Sequence, residues 1–144
     1  MESSQNWIFW ALLSAVFAAL TAIFAKIGLE GIDSDYATLL RTAVIIVVLS
    51  IFVAATGKWR NPALLPSRSR LFLILSGLAT GASWVCYFRA LKIGDAYRVA
   101  PIDKLSVVLV AVFAVLILGE RPSPREWLGL LCVGTGVLLL SLKR

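Results

Sequence analysis

Residues 71–91 read LFLILSGLATGASWVCYFRAL. This run of 21 residues contains one charged side chain, Arg89, close to its carboxyl end. A helix needs about 20 predominantly apolar residues to cross the hydrocarbon core of a bilayer. The stretch therefore predicts a membrane-spanning helix, and with it a protein whose outer surface is fitted to lipid rather than to water.

Similar apolar runs lie on both sides of this stretch. The predicted spans cover residues 7–29, 36–56, 71–91, 99–118 and 127–142. The composition agrees, because 60% of the 144 residues are hydrophobic, 15% are charged and the mean hydropathy is +0.90, whereas soluble domains carry about 25% charged residues. We predict an all-α, polytopic membrane protein with five transmembrane helices, which form a single membrane domain over residues 1–144.

The composition argues against an enzyme. The chain has no histidine, which excludes a histidine-based triad, zinc site or proton relay. Cys86 and Cys132 lie inside apolar runs and are interpreted as small packing residues rather than as a metal-binding or disulfide pair. No clustered nucleophile or phosphate-binding loop is present, so we expect no catalytic residue, no metal and no cofactor. The net charge of +6 is attributed to membrane loops, so no nucleic-acid partner is expected.

The charges give almost no orientation signal. With five spans, six basic and three acidic residues fall on the side of the amino terminus, and eight basic and five acidic residues fall on the opposite side. Each side therefore carries +3. Two interpretations remain open: the chain inserts in both orientations, or only loop charges count and the amino terminus lies inside.

Ionisable residues within the predicted spans all lie toward the side opposite the amino terminus. They are Lys26, Arg41, Arg89, Asp103 and Lys104. Such residues are costly in lipid and usually either form pairs or serve function. Arg41, more than one turn inside its span, and Lys26 are candidates for contacts with an anionic substrate group, with snorkelling as the alternative for Lys26. Asp103 is a candidate for ion coupling, or it pairs locally with Lys104, Arg41 or Arg98.

Two neighbouring stripes follow span three at the helical period of 100° per residue. One carries the polar side chains of Ser76, Thr80, Ser83 and Tyr87; the other carries Gly77, Gly81, Trp84 and Phe88. The first stripe predicts either the lining of a substrate cavity or hydrogen bonds between helices. In the cavity, Ser83 and Tyr87 of this stripe and the adjoining Trp84 would be the substrate contacts. The GxxxG pair Gly77 and Gly81 predicts close helix packing on the adjoining side.

Several motifs resemble EamA-like domains of the drug/metabolite transporter superfamily. They are GASWVCYFRALKIG at 81–94, VAPIDKLS at 99–106, LGER at 118–121, WLG at 127–129 and GTGV at 134–137. Lys26 and Arg41 also fall where basic residues commonly occur in the first two helices of that family. The chain resembles the half-size, five-span bacterial and archaeal branch, which corresponds to half of a ten-helix inverted-repeat transporter.

The resemblance implies a secondary transporter or exporter of small organic metabolites, multi-pass in the cell inner (cytoplasmic) membrane. Inverted repeats commonly frame a central site, and a five-span chain reproduces that arrangement by dimerising. A homodimer, antiparallel if both insertions occur, and a dimer with a sister five-span subunit both remain open. The competing function is that of a non-transporting membrane partner, or of a subunit that flips lipid-linked sugars.

Overall fold

The computed structural model describes residues 3–142, with side chains from Trp7 to Leu142. Six α-helices occupy these residues: α1 Ser3–Gly28, α2 Ser34–Ala55, α3 Ser67–Ile93, α4 Ala96–Asp103, α5 Ser106–Phe113 and α6 Pro124–Ser141. A 3-10 turn at Pro62–Leu64 precedes α3, and a π-helical turn at Ala114–Leu118 follows α5. The described residues contain no β-strand, which confirms the predicted all-α fold.

Four segments are long and apolar enough to cross a membrane. They are Trp7–Gly28, Ser34–Ala55, Ser67–Ile93 and Ala96–Leu118. The predicted fifth span coincides with α6, whose 18 residues rise about 27 Å, close to the thickness of a hydrocarbon core. The mean hydropathy of α6 is below that of the four candidate spans because its first turn contains Arg125 and Glu126. The structure is that of a polytopic membrane protein.

Large apolar side chains face outward along the helices. Leu78, for example, is 67% exposed in the middle of α3, whereas Leu91 near its end is fully buried. In the most apolar 18-residue stretch of each candidate span, at most 6% of the residues are buried. Such a surface is unfavourable in water and favourable in lipid, where polar backbone groups must be satisfied within each helix.

The described chain separates into two compact units. Phe24–Ile93 forms one, which contains α2 and α3, and the other combines the described residues of Met1–Ile23 and Gly94–Arg144. In the second unit, α4 and α5 pack on α6. Val108 of α5 packs beside Gly134 of α6, and a Cβ at Gly134 would lie in ordinary van der Waals contact with it, at 3.7 Å. The expectation of one domain over residues 1–144 stays a prediction.

Short polar signals fix the helix ends. The Asp33 carboxylate accepts hydrogen bonds from the backbone N–H groups of Asp35 and Tyr36, at 2.9 and 3.1 Å, and so caps α2. At α6, Ser123 and Glu126 form a capping box, with Pro124 at the first helical position.

Span four, predicted over residues 99–118 with Pro101 either starting or kinking the helix, is not a continuous α-helix. It begins at Ala96 rather than Val99, so Pro101 lies inside α4 and cannot donate a hydrogen bond to the Tyr97 carbonyl. The α-helix then stops at Asp103, and the N–H groups of Lys104 and Leu105 bond to carbonyls three residues back, at 2.9 and 3.0 Å. The span is therefore discontinuous, with its break at residues 104–105.

Candidate substrate groove

A groove of about 590 Å³ lies between α2 and α3, within the unit Phe24–Ile93. It has the size typical of small-molecule sites, which span about 300–1,000 Å³. One side comes from a single face of α2 and the other from a single face of α3. The lining residues are Asp35, Thr38, Leu39, Thr42, Leu73, Ser76, Gly77, Thr80, Gly81, Trp84 and Val85.

Three threonine hydroxyls in this groove use their protons within their own helices. Thr38 donates to the Ser34 carbonyl at 2.8 Å, and Thr42 donates to the Thr38 carbonyl at 2.7 Å. Thr80 on α3 donates in the same way to the carbonyl of Ser76, at 2.9 Å. A carbonyl can only accept, so each hydroxyl must be the donor and keeps only lone pairs for other partners.

Arg41 lies over aromatic rings rather than in the groove lining. Its guanidinium carbon is 4.3 Å from the centre of the Trp84 ring and 5.3 Å from that of Phe88. Both distances fall within the range of a cation–π interaction. Among the side chains from Trp7 to Leu142, no carboxylate forms an ion pair with Arg41. The contact therefore stabilises the orientation of Trp84, whose ring lines the groove.

Asp35 at the start of α2 pairs with Arg89 near the end of α3. Arg89 donates from Nε to Oδ1 at 2.9 Å and from a terminal nitrogen to Oδ2 at 2.6 Å, which is the bidentate geometry favoured by arginine. Of the embedded basic residues, Arg89 therefore forms an ion pair with an acid on the same side of the membrane. Asp35 lines the groove and Arg89 does not, although Arg89 engages both carboxylate oxygens of Asp35.

Two lysines bind backbone carbonyls at the same end of this unit. Lys26 Nζ, at the end of α1, donates to the Leu91 carbonyl at 2.7 Å. Lys92 Nζ donates to the carbonyl of Ile32 in the loop between α1 and α2. Together with the Arg89–Asp35 pair, these bonds connect the end of α3 to α1, to the loop and to α2.

Asp103 and Lys104 lie at the break in span four, in the other unit. Lys104 Nζ is 3.5 Å from Asp103 Oδ2, and both side chains are partly exposed. Of the local partners expected for Asp103, the structure thus places Lys104 beside it. Coupling to an ion through Asp103 stays a prediction.

The predicted site residues separate into groups. Trp84, Gly77 and Gly81 line the groove, and Arg41 contacts Trp84, whereas Lys26, Ser83 and Tyr87 lie outside the lining. Their roles as substrate contacts stay predictions. Within the unit Phe24–Ile93, Gly77 and Gly81 face the groove rather than a neighbouring helix. Close helix packing at the GxxxG pair stays a prediction.

Sequence reasoning missed the α2 side of the groove, namely Asp35, Thr38 and Thr42. A signal was present, since Ser34, Thr38 and Thr42 recur every four residues and share one helical face. The apolar character of the rest of span two concealed it.

Comparisons with known proteins agree on one family. Residues 5–142 match the EamA-like transporter family. A curated relative from Sinorhizobium sp, named an uncharacterized transporter in the cobO 3′ region, is 62% identical over 138 residues, which cover 96% of this chain and 98% of the relative. No solved structure matches the chain. Because the match covers nearly the whole sequence and includes the spans that form the groove, the chain belongs to the EamA-like transporter family.

Proposed function

We propose that the protein moves small organic metabolites across the cytoplasmic membrane by alternating access, as a dimer. The observation that carries this proposal is the α2–α3 groove. It places hydroxyls, a carboxylate and an indole along two membrane spans, where polar groups are costly unless they serve packing or function. Membership of a transporter family supports the same function.

The dimer is proposed from topology. An odd number of spans means that two copies joined in one chain would be inverted relative to one another, and inverted repeats commonly frame a central transport site. Two separate copies can adopt that relation only if the chain inserts in both orientations. The equal charge of +3 on each side, calculated from the sequence, is compatible with both insertions.

Transport is tested with purified protein in liposomes. A panel of labelled amines, carboxylates and neutral metabolites is applied under a proton gradient and then under a sodium gradient. We expect accumulation of at least one class, reduced by Thr80→Val, which alters the groove. Thr56→Val is the matched control, because Thr56 also donates to a carbonyl of its own helix but lies outside the groove. Absence of transport across the whole panel would contradict the proposal.

Membrane orientation is tested by cysteine labelling. Cys86 and Cys132 are first replaced by alanine, and a single cysteine is introduced at Asn61 in the loop before α3. Labelling of one fraction from each side of the membrane is expected for an antiparallel dimer. Labelling of all copies from a single side would rule that dimer out and leave a parallel dimer or a sister subunit.

A further inference from the structure

We propose that the α2–α3 groove selects organic ammonium ions that carry N–H donors, attached to an apolar or aromatic body. This inference rests on the proposed transport function, because it assigns a substrate class to the same groove. It follows from the direction of the hydrogen bonds in the lining and from the absence of a basic side chain among the lining residues.

The lining offers acceptors and almost no donors. The hydroxyl protons of Thr38, Thr42 and Thr80 are held by backbone carbonyls of their own helices. Each oxygen retains lone pairs that a ligand N–H can use, but none can donate to a ligand carboxylate without breaking its bond within the helix. Ser76 adds one hydroxyl of either polarity, and the remaining side chains of the lining are apolar apart from Asp35 and Trp84.

The lining of the groove contains no cation. Asp35 is its one ionisable residue, and both of its carboxylate oxygens accept hydrogen bonds from Arg89. No basic residue of the unit Phe24–Ile93 lines the groove, since Arg89 bonds to Asp35 from outside the lining and Arg41 lies over the Trp84 and Phe88 rings. An anion entering the groove would meet the acceptor oxygens of the threonines and no cation of the lining, so its desolvation would not be offset.

The acceptors distinguish between kinds of cation. A quaternary ammonium has charge but no N–H group, so it cannot use the lone pairs of the threonines. A primary or secondary ammonium donates to these lone pairs, and such charge-assisted hydrogen bonds are stronger than neutral ones. The apolar side chains Leu39, Leu73 and Val85, with Trp84, supply contact area for the rest of the ligand.

The experiment uses four probes built on the same phenethyl body. They are phenethylammonium, phenethyltrimethylammonium, 2-phenylethanol and 3-phenylpropionate. Binding to the full chain in lipid nanodiscs is measured by calorimetry, and the signal of empty nanodiscs is subtracted. We expect phenethylammonium to bind about tenfold or more tightly than each other probe, as one additional charge-assisted hydrogen bond implies.

Variants locate the binding. Thr38→Val and Thr80→Val each remove an acceptor while keeping the side-chain shape, and each should weaken phenethylammonium binding severalfold without changing that of 2-phenylethanol. Thr56→Val is the control and should leave all four affinities unchanged. Helicity measured by circular dichroism shows whether each variant is folded. If one of the two threonine variants does not fold, the other is enough for the test.

Each alternative result overturns the inference. Equal or tighter binding of phenethyltrimethylammonium would show that N–H donors are not read. Tighter binding of 3-phenylpropionate would favour the predicted anion contact at Arg41 instead, and no binding of phenethylammonium would remove the site. The proposed function is judged separately. Transport of other solutes with no preference for ammonium ions would refute this inference alone. The expected binding of phenethylammonium without any transport would refute the transporter function and leave the binding site intact.

Discussion

Replacement of Arg41 tests whether its contact with Trp84 is an energetic one. Arg41→Met retains much of the apolar stem but removes the guanidinium, which lies 4.3 Å from the Trp84 ring centre. Cation–π contacts contribute about 0.5–1 kcal/mol at exposed sites and about 2 kcal/mol when desolvated. Arg41 and Trp84 are both half-buried, so the coupling between them should be about 1–1.5 kcal/mol. Arg41→Met should cost more than this coupling, because the Phe88 contact at 5.3 Å is lost as well.

A double-mutant cycle of Arg41→Met and Trp84→Leu measures that coupling. Reversible unfolding in mixed micelles, followed by circular dichroism, gives the free energy of unfolding for each variant. Arg98 and Tyr97 provide a control cycle, because their contact is longer, 5.5 Å, and Tyr97 is 65% exposed. A coupling below about 0.3 kcal/mol, or one equal to that of the control, would refute the assignment of Arg41 to the positioning of Trp84.

The remaining predictions concern the elements around the groove. Leu91→Ala should destabilise the protein by about 2–5 kcal/mol, because it loses the transfer free energy of the deleted atoms and leaves a cavity in a fully buried site. In the same unfolding assay Leu78→Ala, at a position that is 67% exposed, should cost far less, and equal losses would refute the packing argument. Hydrogen bonds from the backbone N–H and then the side chain of Ser123 lower the pKa of Glu126 from its usual 4.5. The capping box therefore contributes stability above that value and loses it as the pH falls through the lowered pKa. Carbon NMR titration should show this, with the pKa moving only partly back up in Ser123→Ala, which keeps the backbone N–H. Pro101→Ala should increase hydrogen-exchange protection at residues 102–105, because it restores an N–H donor inside α4; an unchanged pattern would place the cause of the break elsewhere.

Hydropathy and helix-end signals predict most of this fold. The spans can be predicted because length and apolar composition decide whether a segment enters lipid, and the described helices cover all five predicted regions. The capping box at Ser123 could also be predicted, because it depends on residues three positions apart. The break at residues 104–105 could not, because Pro101 is compatible both with a first helical turn and with a helix interior. The start of the helix at Ala96, which only the structure gives, places Pro101 in the helix interior rather than in the first turn.

Candidate site residues are harder to predict because a helical stripe does not reveal what faces it. Trp84 and Thr80 were identified from the period of span three, and both line the groove. The two stripes of span three were expected to differ in role, yet Ser76 and Thr80 share the groove with Gly77 and Gly81. That outcome depends on α2, whose Thr38 and Thr42 face the same space. Pairwise geometry between helices, rather than the pattern of either one, determines the groove.

Hydrogen-bond direction is the property that sequence conceals most completely. A threonine in a span can donate across to another helix, accept from a ligand or bond to its own backbone, and its identity is the same in each case. In α2 and α3 the backbone takes the protons of Thr38, Thr42 and Thr80, while Arg41 is held over aromatic rings. Span two therefore contains both a cation and acceptors, but only the acceptors line the groove. The embedded arginine that suggests an anionic substrate lies over the indole that lines the groove. Its contact with an anionic substrate stays a prediction, and the four phenethyl probes decide between an anionic ligand and the proposed ammonium ion.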